Sequence, residues 1–158
     1  AKSADYDYEN QNHIVLGATD NISSMQIELL EKFYIDLFPN SLISKCSSTE
    51  SESMKIFTNC FYAIKVQYFT ELYLLCKKNN TNFTNIRDLM LKNGWINPMH
   101  TNVPGSDGSI SFGGYCFPKD TNALNSYMEY HKSENRIINS TIRERNEMRD
   151  DNLNIIFK

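Results

Sequence analysis

The 158-residue sequence lacks several features that would each indicate a class of protein. Its four cysteines form no C-x-x-C pair, which argues against zinc knuckles and thioredoxin-like sites. It has no excess of basic residues, since its formal net charge is −3, whereas general nucleic-acid binding favours a basic face. No apolar run approaches the roughly 20 residues that span a bilayer. These absences predict a globular protein that binds neither nucleic acid nor membrane.

Two more absences concern cofactors and metals. The six glycines form no G-x-G-x-x-G loop after a strand, so the sequence lacks the loop that binds the phosphates of a dinucleotide. His13, His100 and His131 have no metal-ligand spacing, and we predict no metal site. The cysteines are widely spaced, which favours reduced thiols in the cytoplasm over a disulfide framework.

The apolar pattern predicts a mainly helical fold with a small α/β portion at its start. A strand at residues 13–17, a helix at 21–38 and a strand at 42–46 follow the order of a βαβ unit, which belongs to a parallel, Rossmann-like sheet. Four helices are predicted after it, at residues 50–78, 83–92, 118–130 and about 134–148. The domains are therefore predicted at residues 1–47 and 48–148, with a tail or linker at 149–158.

The long helix at residues 50–78 is apolar on more than one side. A helix of this kind needs a cover from outside its own domain, which predicts a homodimer formed through it. The residues of its main apolar set follow one another at steps of three and four: Phe57, Phe61, Ile64, Tyr68, Phe69, Leu72 and Leu75.

The most informative segment is residues 112–120, with the sequence Phe-Gly-Gly-Tyr-Cys-Phe-Pro-Lys-Asp. Proline fits the first turn of a helix, so Cys116 is predicted just ahead of a helix N-terminus, where the helix dipole favours the thiolate. Gly113 and Gly114 let the backbone approach a ligand closely, and Asp120 is near enough to accept or relay a proton. These residues indicate an activated nucleophile on a binding loop, although a single cysteine in such a turn is more often a packing residue.

The nine-residue segment closely resembles the nucleophile loop of the UDP-glucose/GDP-mannose dehydrogenase family, and residues 103–108 resemble its lead-in. Residues 49–65 are similar to the central helix of the family. There Lys55 and Asn59 stand four residues apart, which places both on one helical face. The resemblance spans residues 4–149 and is closest to the UDP-glucose 6-dehydrogenase branch.

The resemblance implies an enzyme that oxidises UDP-glucose to UDP-glucuronate in two NAD-dependent hydride transfers. Cys116 would attack the C6 aldehyde to give a thiohemiacetal and then a thioester. Lys55 and Asn59 would stabilise developing oxyanions, and Asp120 would position water or carry protons. Lys119 would lie near NAD. The residues implied for the sugar nucleotide are Asp107, Gly108, Phe112, Gly113 and Gly114.

The sequence departs from the family pattern at two places near the loop. Trp95-Ile96-Asn97 stands where many members have Arg-Ile-Gly, whose arginine often reaches the sugar nucleotide of a neighbouring subunit. Ser111 replaces a common glycine before Phe112. The dinucleotide loop and the usual C-terminal nucleotide-sugar domain are also missing, so we expect a middle piece of the enzyme that is inactive by itself.

Three alternatives stay open. The chain could be a non-catalytic helical dimerisation module, which an absent dinucleotide loop upstream would favour. It could belong to a dehydrogenase for another nucleotide sugar, such as GDP-mannose or UDP-N-acetylmannosamine. A cysteine hydrolase that uses Cys116 with His100 is the weakest hypothesis, because no oxyanion signature or third group supports it.

Overall fold

The N-terminal part of the chain contains a βαβ unit, as predicted. The computed structural model describes residues 4–149 and 151. A short helix that the sequence analysis did not predict, α1 (Ala4–Glu9), precedes strand β1 (His13–Ala18). Helix α2 (Ser24–Leu37) connects β1 to strand β2 (Leu42–Ser47). The two strands pair in parallel, with His13 opposite Leu42, so a crossover helix between them is required.

Local capping fixes where α2 begins. The hydroxyl of Ser23 accepts the backbone N–H of Gln26 (3.4 Å), and the Gln26 side chain accepts the backbone N–H of Ser23 (2.9 Å). This reciprocal pair is a capping box, which satisfies two N–H groups that an uncapped helix would leave without partners.

The longest element is helix α3 (Ser48–Lys78), which begins where β2 ends. The carboxylate of Glu50 accepts the backbone N–H of Ser47 (2.8 Å) and so secures the entry into the helix. Two lysines in the last turn face the negative end of the helix dipole, a favourable placement. Its buried residues are Cys60, Ala63, Gln67, Phe69, Thr70 and Cys76.

Three shorter helices complete the described chain. Helix α4 (Phe83–Leu91) is capped by Asn82 and packs Phe83 onto Phe69 and Cys76 of α3 in an apolar core. Helices α5 (Cys116–Tyr130) and α6 (Arg136–Met148) contact each other. The mainly helical fold with a small α/β portion is therefore confirmed.

The structure contains two compact units, Ala1–Lys55 and Ile56–Lys158, and α3 contributes residues to both. The predicted domain boundary between residues 47 and 48 stays a prediction. Residues 150 and 152–158, which carry most of the predicted tail, lie outside the described residues. Among the described helices, none is both long enough and apolar enough to cross a membrane.

Candidate active site

Cys116 is the first residue of α5, and its side chain is exposed. The first hydrogen bond of the helix runs from the backbone N–H of Lys119 to the carbonyl of Tyr115 (3.2 Å). The helix thus begins two residues before the predicted start at Pro118, which corrects the sequence analysis. The reason is that proline fits anywhere in the first turn, where no N–H has a partner within the helix. Cys116 therefore lies within that first turn.

A buried carboxylate lies one turn further along α5. Asp120 is 2% exposed, and the Asn59 amide of α3 donates from Nδ2 to its Oδ2 (2.6 Å). The Lys119 ammonium forms an ion pair with Oδ1 of the same carboxylate. The hydrogen bond from the Lys119 ammonium to the Asp120 carboxylate is the main cause that raises the pKa of Lys119. The Lys119 side chain therefore stays a cation. The structure thus brings together three of the predicted residues.

Cys60, the neighbour of Asn59, has the opposite environment to Cys116. It is buried, and desolvation together with the negative charge of Asp120 raises the pKa of its thiol to about 11. Cys60 is therefore a neutral thiol near neutral pH. Cys116, in contrast, is exposed and accessible to reagents.

Lys55 is exposed on α3, four residues before Asn59. The two side chains therefore belong to consecutive turns of one helix. Lys55 falls in the first compact unit and Asn59 in the second. The role assigned to Lys55 stays a prediction.

The predicted sugar-nucleotide loop is held by two arginines that the sequence analysis did not identify. Arg145 on α6 donates from Nε to the carbonyl of the buried Phe112 (3.2 Å). Arg149, which caps the C-terminus of α6, donates from Nη2 to Oδ2 of Asp107 (2.6 Å). This hydrogen bond is the main cause that lowers the pKa of Asp107. The only sequence signal is that the two arginines lie four residues apart at the C-terminal end of α6.

The glycines of this loop serve different purposes. Gly108 and Gly114 have φ of +76° and +72°, a backbone conformation that side chains disfavour. At Gly113, a Cβ atom would lie 2.6 Å from Cζ of Arg149. The group that approaches the Gly113 backbone in this structure is thus an arginine of the same chain, whereas the sequence analysis expected a ligand.

Residues 49–148 match the profile of the UDP-glucose/GDP-mannose dehydrogenase family, central domain. The chain belongs to this family. It is 32% identical over 152 residues to a UDP-glucose 6-dehydrogenase of Rickettsia prowazekii, a match covering 96% of this chain and 33% of the relative. It is 31% identical over 135 residues to a UDP-glucose 6-dehydrogenase of Campylobacter jejuni, covering 85% of this chain and 30% of the relative. The chain thus spans about a third of the length of these relatives.

A solved structure of a UDP-glucose dehydrogenase is also similar to this chain. The UDP-glucose dehydrogenase from the hyperthermophilic archaeon Pyrobaculum islandicum superposes with a TM-score of 0.75 at 25% identity. The superposition covers 92% of this chain and 31% of that chain. The fold and the family are therefore established by independent comparisons of sequence and structure.

The two departures from the family pattern have distinct surroundings. Ser111 is buried with φ of +60°, so it occupies a conformation that suits the glycine of other members. Its backbone N–H donates to Oγ1 of Thr70 (3.1 Å), and its hydroxyl donates to Oε1 of Gln67 (2.5 Å). Trp95, in contrast, is 90% exposed.

His100 packs between aromatic rings. Its ring centroid lies 4.7 Å from that of Tyr62 and 5.2 Å from that of Phe117. Burial, and to a lesser degree the charge of Lys65, lowers the pKa of His100. This packing gives no support to the hydrolase hypothesis, since the imidazole forms part of an aromatic cluster.

Proposed function

We propose that the chain supplies the cysteine nucleophile and the sugar-nucleotide loop of an NAD-dependent UDP-glucose 6-dehydrogenase, which oxidises UDP-glucose to UDP-glucuronate. Family membership and the names of the relatives support the reaction class. One observation carries the proposal. The helix that begins with the exposed Cys116 also holds Asp120, whose carboxylate contacts the Asn59 amide.

The covalent step takes place at Cys116. The thiolate sulfur adds to the C6 aldehyde of the sugar and forms an S–C bond. The π electrons of the carbonyl move to its oxygen, which takes up the proton that the thiol gave up. The product is a thiohemiacetal. After its oxidation to a thioester, water cleaves the S–C bond to release the carboxylate and restore the thiol.

Asn59 and Lys55 provide the groups that stabilise negative charge on the substrate oxygen. The Asn59 amide has two N–H groups, and one of them is directed at Asp120. We assign the second N–H, together with the Lys55 ammonium, to the developing oxyanion. Loss of one such donor typically lowers kcat by about 10²–10³. Asp120 holds the Asn59 amide in place, and we assign proton transfer to it because it follows Cys116 by four residues on the same helix.

One residue of α5, Lys119, is suited to contact NAD. Lys119 is a persistent cation whose side chain is 36% exposed. We propose that Lys119 contacts NAD or its phosphates. When bound, NAD would supply the hydride acceptor for the oxidation at C6. Since the sequence has no G-x-G-x-x-G loop, the 158-residue chain alone should produce no NADH from UDP-glucose.

Addition to an aldehyde needs no NAD, which permits a test on this chain. UDP-glucose oxidised to the aldehyde at C6 should protect Cys116 from alkylation by iodoacetamide, measured by peptide mass spectrometry. The half-buried Cys46 is the internal control and should alkylate at an unchanged rate. Cys116→Ser should abolish the adduct but leave the binding of UDP-glucose intact. If the aldehyde protects Cys116 no better than UDP-glucose does, the assignment of the nucleophile is wrong.

The same assay addresses the substrate class. GDP-mannose or UDP-N-acetylmannosamine, each oxidised to its C6 aldehyde, replaces the glucose compound. If either aldehyde protects Cys116 more strongly than the glucose compound does, the chain would instead belong to a dehydrogenase for that sugar. Protection by none would favour the non-catalytic module.

We also propose that the chain forms a homodimer through α3. Three large apolar residues on this helix, Phe61, Tyr68 and Leu75, are exposed and recur every seven residues. Phe61 also lines an apolar groove with Phe57 and Leu124. This repeat suits the packing of one helix against another. Phe61→Glu should convert a sedimenting dimer into a monomer, whereas Tyr130→Glu, at an exposed aromatic residue of α5, should not.

A further inference from the structure

We propose that Arg149 is a positioning residue, which clamps residues 107–113 and thereby sets the affinity for the sugar nucleotide. The proposal rests on the proposed function for the identity of the ligand. The clamp itself rests on contacts within the chain, so the two can be tested separately.

The guanidinium of Arg149 has four partners spread around it. Nη1 donates to the carbonyls of Ile110 and Ser111 (both 3.3 Å). Nη2 donates to Oδ2 of Asp107 (2.6 Å), and Nε donates to Oδ2 of Asp151 (3.1 Å). The side chain is only 10% exposed. A planar fork with several N–H donors can serve such an arrangement, whereas the single nitrogen of a lysine cannot.

A second arginine extends the clamp along the loop. Arg145 binds the carbonyl of Phe112 through Nε and Oδ1 of Asp151 through Nη2 (2.5 Å). Asp151 therefore joins the two arginines, since its other oxygen accepts from Arg149. Gly113 admits the guanidinium of Arg149 against the backbone, because a side chain there would collide with it.

The charges show that the cluster is a clamp and not an anion site. Two arginines, Arg145 and Arg149, are matched by two aspartates, Asp107 and Asp151, so their formal charges cancel. The donors are directed at the loop and at these carboxylates. A phosphate would have to displace them, so we assign no ligand to the guanidinium groups themselves.

The clamp acts on the ligand through the backbone. It fixes the loop up to Gly113, and α5 fixes the chain from Cys116 onward. Only Gly114, with φ of +72°, and the exposed Tyr115 lie between the two anchors. A sugar nucleotide that hydrogen-bonds the backbone of residues 108–114 therefore meets a preformed surface, which reduces the ordering cost of binding.

The test compares Arg149→Lys with Arg143→Lys, a matched change at an exposed arginine of the same helix. One readout is amide hydrogen exchange of residues 109–114 without ligand. The second is the Kd of UDP-glucose, measured from its protection of Cys116 against iodoacetamide. The third is aldehyde addition to Cys116 at saturating aldehyde. Arg149→Lys should speed exchange and raise the Kd about tenfold, while saturated addition stays within about twofold. Arg143→Lys should change none of the three.

The outcomes distinguish a failure of the clamp from a failure of the proposed function. Unchanged exchange, or faster exchange with an unchanged Kd, would overturn the clamp as a positioning device. If the wild-type chain gains protection neither from UDP-glucose nor from its C6 aldehyde, the proposed function fails, and the exchange data alone judge the clamp. Should Arg149→Lys fail to fold, Asp107→Asn retains the carbonyl contacts and should raise the Kd by only about twofold to threefold. In that case, unchanged exchange of residues 109–114 in Asp107→Asn would contradict the clamp.

Discussion

Replacing Ser111 by glycine or by alanine separates two opposing effects at one buried position. Ser111 has φ of +60°, where an L-residue is strained, and its hydroxyl donates to Oε1 of Gln67 (2.5 Å). Both substitutions remove this hydrogen bond. Only glycine also removes the strain, because it adopts a positive φ without steric cost. The two variants should therefore differ in stability although both lack the hydroxyl.

The expected losses in the free energy of unfolding follow from the lost hydrogen bond and the relieved backbone strain. Leaving the buried acceptor of Gln67 without its donor costs about 1–3 kcal/mol, so Ser111→Ala should lower the free energy of unfolding by about 2 kcal/mol. The left-handed conformation costs an L-residue roughly 1–2 kcal/mol, which glycine recovers in part, after its larger loss of chain entropy. Ser111→Gly should therefore cost only about 1 kcal/mol, which corresponds to about 3 °C in Tm.

The assay is urea unfolding followed by circular dichroism at the helical band, with thermal melts as a check. Ser106 provides the matched control, since it lies in the same loop, is exposed and has no positive φ. At this position the order should reverse, with glycine no more stable than alanine. If Ser111→Gly proves less stable than Ser111→Ala, the strain assigned to Ser111 does not exist.

Two further predictions concern ionisable groups. Because the pKa of Cys60 is raised to about 11, iodoacetamide at neutral pH should modify Cys60 only after denaturation; rapid modification in the folded chain would contradict this. Burial, then the hydrogen bond and the charge of Glu144, raises the pKa of Glu71, so the folded chain holds this proton more tightly than the unfolded chain. The protonated Glu71 carboxyl therefore contributes to the stability of the folded chain at acid pH, and this contribution is lost as the pH rises through the pKa of Glu71 in the folded chain. Glu71→Gln should raise stability at pH 7 by less than about 1 kcal/mol, with a gain that shrinks below pH 4.5; a pH-independent gain in denaturation series would refute the pairing.

The elements that the sequence predicted well are those with strong periodicity. Strand β1 contains the apolar run Ile14-Val15-Leu16, β2 begins with Leu42-Ile43, and α3 repeats apolar residues at helical spacing over 31 residues. The sequence does not predict helix α1, because Ala4–Glu9 alternates polar and aromatic residues without a helical stripe. The start of α5 was placed too late, since Pro118 fits the third position of the first turn as well as the first.

The residues of the candidate site likewise fall into those that the sequence predicts and those that it does not. Asn59, Cys116 and Asp120 belong to segments with a recognisable pattern, and the structure brings Asn59 against Asp120. Arg145 and Arg149 lie at the end of a polar helix, where charged residues usually face solvent. Three of their partners are carbonyl groups of a distant loop, and a carbonyl carries no signature in the sequence.

The contact between Asn59 and Asp120 also fixes the orientation of the Asn59 amide. Nδ2 must face the carboxylate, because a rotated amide would place Oδ1 against Oδ2, an acceptor against an acceptor. Asp120→Asn preserves size and burial but offers a donor, so the Asn59 amide can turn over and present its oxygen to the substrate. Under the proposed function, this variant should lose most of the aldehyde adduct at Cys116, by about tenfold or more. Lys119→Met leaves the Asn59 contact in place and should alter adduct formation far less. Equal adduct formation in Asp120→Asn and the wild-type chain would mean that the orientation of Asn59 does not matter to the addition step.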